Sequence, residues 1–126
     1  MFLPSSSLYL IAYTNVMIFF KELYMNLMIV DDHAGMRNLV RQMVVSKFEH
    51  VIECSSGEEC LQQFQKSPTE WVFMDIQMEG LDGISTTREL KRLFPDTNIV
   101  IVTRFDDPDL RFATREAGAS GYVLKA

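Results

Sequence analysis

WVFMDIQMEGLDG, residues 71–83, is the stretch whose reading decides the fold. Trp71 to Met74 is an unbroken apolar run, without the polar alternation of a half-exposed strand. A run of this kind marks a strand buried on both faces, and so a parallel sheet under helices. It ends on Asp75, and Gly80 and Gly83 punctuate the loop that follows.

The same pattern repeats in both directions. Upstream, Leu27–Val30 ends in Asp31-Asp32, and Val51–Cys54 is a second short run. Downstream, Asn98–Val102 ends on Thr103 and Gly121–Leu124 ends on Lys125. Helix-period stretches separate them. Met36, Leu39, Val40, Met43, Val44 and Phe48 form one stripe between Ala34 and Phe48. Ser56, with Glu59 three residues on, has reciprocal capping-box spacing, and Cys60, Leu61 and Phe64 are the expected buried face behind it. Ile84, Leu90 and Leu93 mark a helix that stops before Phe94-Pro95. Asp107 is the expected N-cap of the next, with Pro108 at N1, an apolar face of Leu110, Ala113 and Ala117, and Gly118 as C-cap. Single helices between apolar strands predict right-handed crossovers and a doubly wound α/β domain with a five-stranded parallel sheet. No helix follows strand five, so residues 25–126 are expected to form one domain, C-terminally truncated.

Composition agrees with one folded domain. Of 126 residues, 48% are apolar, and 17 acids against 12 bases leave a net charge of −5. The bases are scattered among more numerous carboxylates, so no nucleic-acid contact is expected from this segment. Cys54 and Cys60 are too few for a disulfide framework and read as reduced, buried thiols of a cytoplasmic protein. Residues 1–24 do not match the rest: an apolar extension with one acid, Glu22, and one base, Lys21. Its run from Leu8 to Phe20 is too short to span a membrane, and a basic region before it and a cleavage site after it are both lacking. The readings left open are an appendage without a role, a start placed ahead of Met25, a packing helix that covers the sheet, or a membrane or signal segment.

Ligands of open parallel sheets bind beyond the carboxyl ends of the strands, where strand order reverses. The residues at those ends are Asp31, Asp32, Asp75, Thr103 and Lys125. Three gathered carboxylates repel one another unless a cation joins them. Mg²⁺, which takes oxygen ligands and retains waters, suits such a set. A carboxylate beside that ion can attack phosphorus, with a hydroxyl and an ammonium to steady the spreading charge.

The pieces IVDDH (29–33), FMDIQMEGLDG (73–83), IVIVT (99–103) and AGASGYVLKA (117–126) resemble, in order and spacing, the receiver domain of two-component response regulators. That resemblance implies a flavodoxin-like fold with strand order 2-1-3-4-5. It implies a Mg-dependent switch in which Asp75 accepts a phosphoryl group from a histidine kinase or phosphotransfer protein. Asp31 and Asp32 match the metal-holding pair, with Asp75 and the backbone carbonyl of Gln77 as further ligands. Thr103 and Tyr122 match the switch hydroxyl and the aromatic ring that moves with it, and Lys125 matches the lysine that pairs with the phosphorylated site. The only chemistry implied is gain and loss of phosphate on the domain's own aspartate. DDPDL with AGASGYVLK is most like receivers that precede a helix-turn-helix output domain, so DNA is expected only through a domain outside this chain. A homodimer is compatible with the resemblance, though weakened without the last helix.

Several residues depart from the family pattern. Glu79 stands where proline is common, and Arg104 where a small residue is usual. Arg104 can narrow access to Asp75, lend a cation to the phosphoryl group, or pair with Asp106 or Asp107. Phe105, two residues past Thr103, is expected to line the path of attacking water. His33 reads as a surface residue at a helix start, and Trp71 and the methionines as core. Haloacid-dehalogenase-like phosphatases also phosphorylate an aspartate, but theirs begins a D-x-D pair on the first strand, whereas Asp31 and Asp32 are adjacent. The alternative that remains is a degenerate receiver-like interaction module that is not phosphorylated.

Overall fold

The computed structural model describes residues 25–125. Five strands, β1 (Asn26–Val30), β2 (His50–Cys54), β3 (Trp71–Met74), β4 (Asn98–Thr103) and β5 (Gly121–Leu124), alternate with four helices. These are α1 (Ala34–Val44), α2 (Gly57–Lys66), α3 (Gly83–Leu93) and α4 (Pro108–Glu116), with a 3₁₀ turn at Val45–Lys47 after α1. All strand pairs are parallel and the order is β2-β1-β3-β4-β5, as expected for this doubly wound, flavodoxin-like fold. The extension assigned to residues 1–24 lies outside the described residues.

The strand order sets which face each helix covers. The step from β1 to β2 runs one way along the sheet and every later step runs the other way. Right-handed crossovers therefore put α1 on one face and α2, α3 and α4 on the other. On the three-helix face, Met28, Val30, Val72, Met74, Ile99 and Ile101 are fully buried with Cys60, Phe64 and Leu90 from the helices above. On the α1 face the alternate residues Trp71, Phe73, Val100 and Val102 are only half-buried, and Phe48 packs edge-on against Phe73.

The first helix differs from its expected form. It ends at Val44 rather than reaching Phe48, and none of its residues is buried. Leu39 is 52% and Met43 71% exposed, although both belong to the expected stripe. The stripe is amphipathic, but among the described residues α1 has no helix beside it on its face. Consecutive β-branched residues, Val44 and Val45, stand where the chain tightens into the 3₁₀ turn.

Caps define the remaining ends. Ser56 Oγ accepts the Glu59 N–H at 3.0 Å, but the Glu59 carboxylate takes the N–H of Ser55, one residue before the position the capping box requires. Asp107 caps α4 with Pro108 behind it. Gly118, at φ +108°, closes α4 in the left-handed conformation that favours glycine. The Ala119 N–H reaches the Thr114 carbonyl and the Gly118 N–H that of Arg115, the bond pair of a Schellman ending. Cys54 and Cys60 are free and buried, and burial pushes both thiols well above their usual range.

Candidate functional site

Val30 and Met74 are register partners on the adjacent strands β1 and β3, so the residues after them, Asp31 and Asp75, emerge side by side. This is the point where the direction of strand connection reverses. Backbone bonds from Asp31 N–H to Cys54 O and from Asp75 N–H to Val30 O extend the ladders to these two residues. The Lys125 N–H donates to the Thr103 carbonyl at 2.7 Å, which brings the end of β5 to the same edge.

One carboxylate oxygen each from Asp31, Asp32 and Asp75 lie within 4.8 Å of one another. Lys125 Nζ is 2.8 Å from Asp31 Oδ2 and 3.5 Å from Asp75 Oδ2. The other Asp31 oxygen accepts the His33 N–H, and the other Asp75 oxygen the Ile76 N–H. Burial first, and then the neighbouring Asp31 charge, raise the Asp75 carboxyl above its ordinary value, and Lys125 opposes that rise. An all-oxygen donor set with this excess of negative charge fits a hard divalent cation such as Mg²⁺. The cleft above is about 190 Å³ and is lined by the same groups with Gln77, Arg104 and Phe105.

Thr103 is placed differently from the other four residues at the strand ends. It is fully buried and lies beneath the cleft rather than in its wall. Its hydroxyl oxygen accepts the Phe105 N–H at 3.3 Å. Tyr122 is further removed, with its ring against the core and its hydroxyl donating to the Phe105 carbonyl. Glu79 is exposed in a neighbouring depression beside Asp32 and Gln77. Arg104 is exposed at the rim, and the pairing with Asp106 or Asp107 weighed for it is not found: Asp106 instead pairs with Arg111 at 3.0 Å. His33 caps α1 through Nδ1, which accepts the Met36 N–H.

Three supporting residues stand outside the set of site residues expected from sequence. Arg37 donates to the Asp31 carbonyl at 2.7 Å and pairs with Glu53, which anchors the start of α1 to the site. Arg111 lies over the Tyr122 ring. Gly83 reads as loop punctuation in sequence, yet it is the first residue of α3, and a Cβ there would stand 1.9 Å from the Asp75 carbonyl oxygen. That contact could be anticipated only from the three-dimensional approach of α3 to β3.

Fold and site together define a class: a doubly wound parallel α/β domain with an acidic, lysine-spanned cleft at its switch point. The chain belongs to the response regulator receiver domain family, whose sequence profile matches residues 27–126. It is 32% identical over 100 residues to the response regulator GacA of Pseudomonas aeruginosa, covering 78% of this chain and 47% of that protein. Among solved structures it is similar to a LuxR-family two-component response regulator from an Aurantimonas species, with TM-score 0.78 and 28% identity over 82% of this chain and 75% of that one. The isolated receiver domain of RcsB from Salmonella enterica serovar Typhimurium, solved in the presence of phosphomimetic BeF₃⁻, matches with TM-score 0.75 and 26% identity over 81% and 78%. The chain spans about half the length of the curated response regulators and transcriptional regulatory proteins it matches. Among the described residues, no helix is long and apolar enough to cross a membrane.

Proposed function

We propose that this domain is a phosphorylation-dependent switch that accepts a phosphoryl group on Asp75 from a histidine kinase or phosphotransfer protein, within a cytoplasmic transcriptional regulator. The observation that carries the reading is the meeting of three carboxylates within 4.8 Å under an ammonium that reaches two of them. The relatives support it: the similar RcsB domain was solved with a phosphoryl mimic, and GacA is a response regulator of which the match covers 47%.

In the proposed reaction Asp75 Oδ2, the oxygen facing Lys125, attacks phosphorus in line. A new O–P bond forms as the bond from phosphorus to the donor breaks, and the donor leaves with that electron pair. Lys125, already within 3.5 Å of Asp75, pairs with a phosphoryl oxygen. The Ile76 N–H holds the second Asp75 oxygen and fixes the carboxylate plane. Asp31, Asp32, Asp75 and the Gln77 carbonyl would hold Mg²⁺, which when bound supplies positive charge against the carboxylates and the incoming phosphate. The Thr103 hydroxyl turns its proton toward the phosphoryl group, and its tie to Phe105 draws the following loop along. This is a population shift between two arrangements. Water attacking phosphorus resets the switch, with access governed by Gln77, Arg104 and Phe105 at the rim. Glu79 adds a further negative charge beside Asp32.

Incubation with acetyl phosphate and Mg²⁺ is expected to incorporate a single base-labile phosphoryl group that Asp75→Asn abolishes. An unlabelled wild-type protein would instead support the degenerate interaction module. Labelling that survives the substitution would refute the assignment of Asp75.

A further inference from the structure

Tyr122 is held from three sides, and the cation among its partners has no part in the reading above. Arg111, on α4, sits with its guanidinium carbon 4.4 Å from the centroid of the Tyr122 ring. The same guanidinium is gripped by Asp106, whose Oδ1 lies 3.0 Å from Nη2 and 3.2 Å from Nε. The Tyr122 hydroxyl donates to the Phe105 carbonyl, and the Phe105 N–H donates to the Thr103 hydroxyl. The residue between tyrosine and threonine is therefore tied at both backbone ends. One guanidinium thus joins the loop after β4 (Asp106), helix α4 (its own residue) and strand β5 (the ring).

Each contact alone is modest, since Asp106 is exposed and Arg111 only half-buried. Their arrangement matters more than their strength. A guanidinium over a ring biases the ring toward one rotamer, and a carboxylate that fixes the guanidinium keeps that bias in place. With the ring seated, its hydroxyl occupies the Phe105 carbonyl and holds the loop against β5. The Thr103 oxygen then accepts from Phe105, leaving the hydroxyl proton free to be donated.

We propose that Arg111 is the positioning residue of the Tyr122 seat: clamped by Asp106, it holds the ring inward and so sets how readily the Thr103 loop closes on a phosphoryl group. Its effect on phosphoryl affinity rests on the switch proposed above, whereas its effect on the ring does not. Two measurements on the full chain separate them.

The first is the NMR of the Tyr122 ring and its χ1 couplings in the unliganded protein with labelled tyrosine. Arg111→Ala is expected to lower the population of the inward rotamer about two- to fivefold relative to the others, and Arg111→Lys, which keeps a cation but not the planar fork, to restore part of it. The second is beryllofluoride affinity in the presence of Mg²⁺. Arg111→Ala is expected to weaken it about two- to fivefold, the range of one exposed cation–π contact. Tyr122→Leu is expected to weaken it comparably, and the double variant no more than the weaker single, because both remove one unit. Tyr122 rotamer populations that stay unchanged in Arg111→Ala, or losses that add in full, would overturn the proposal. A wild-type protein that does not bind beryllofluoride would overturn the phosphorylation reading, while the ring measurement would still decide the seat.

Discussion

Replacing Lys125 with methionine removes one charge of a buried three-membered cluster and leaves the other two. The ammonium is 2.8 Å from Asp31 and 3.5 Å from Asp75, and its side chain is only 9% exposed. At an effective dielectric of about 20 these contacts correspond to about 6 and about 5 kcal/mol of attraction. Desolvation of the ammonium cancels much of that, and breaking a buried pair by deleting one partner costs about 3–5 kcal/mol. Water enters the cleft from one side, so about 3 kcal/mol is the expected loss for Lys125→Met at pH 7 without divalent cations. For a domain of this size that lowers the melting temperature by about 15 °C. The assay is urea unfolding at several pH values in chelator. With the lysine gone, nothing opposes the rise of the Asp75 carboxyl, so the folded state binds a proton that the unfolded state releases. Stability then rises as pH falls toward about 5, and the deficit shrinks. A variant within about 0.5 kcal/mol of wild type at pH 7 would refute the reasoning. So would a deficit unchanged on acidification.

Three further outcomes are expected. The Asp75 carboxyl is raised in the folded state, so in chelator the wild type loses stability as pH rises above 3.8 through the folded value. Asp75→Asn should flatten that slope and be the more stable protein at pH 7; an unchanged slope by urea titration would count against the raised carboxyl. Gly83→Ala should cost about 1–3 kcal/mol, since its methyl group meets the Asp75 carbonyl, and should also slow phosphorylation by displacing that residue; thermal melting and labelling check both effects. Phe105→Ala should shorten the half-life of the phosphorylated form, measured by loss of label, because the ring at the rim limits the approach of water; an unchanged half-life would dismiss that role.

The five strands were readable because parallel strands buried on both faces are written as unbroken apolar runs. Their C-terminal residues were readable for the same reason, since the end of each run locates the ligand edge. Sequence gave less warning of what lies at right angles to the chain. Thr103 shares the alternation of Ile99 and Ile101 and is buried beneath the cleft, although its place at a strand end suggested the wall. Lys125 lies closer to Asp31 than to Asp75, a preference set by how the β5 end crosses the edge. The stack of Arg111 on Tyr122 joins residues of two elements and leaves no periodic trace. The stripe of α1 was visible, but not that Leu39 and Met43 would stand open on their face. Periodicity reports an apolar side and says nothing of what covers it.

The central claim is a covalent bond between Asp75 and phosphorus. Borohydride reduces an acyl phosphate to an alcohol, which converts a phosphorylated aspartate to homoserine. Peptide mass spectrometry after treatment with acetyl phosphate, Mg²⁺ and borohydride is expected to find homoserine at position 75 and at no other aspartate. Homoserine at Asp31 or Asp32, or unmodified aspartate at all three positions, would contradict the account.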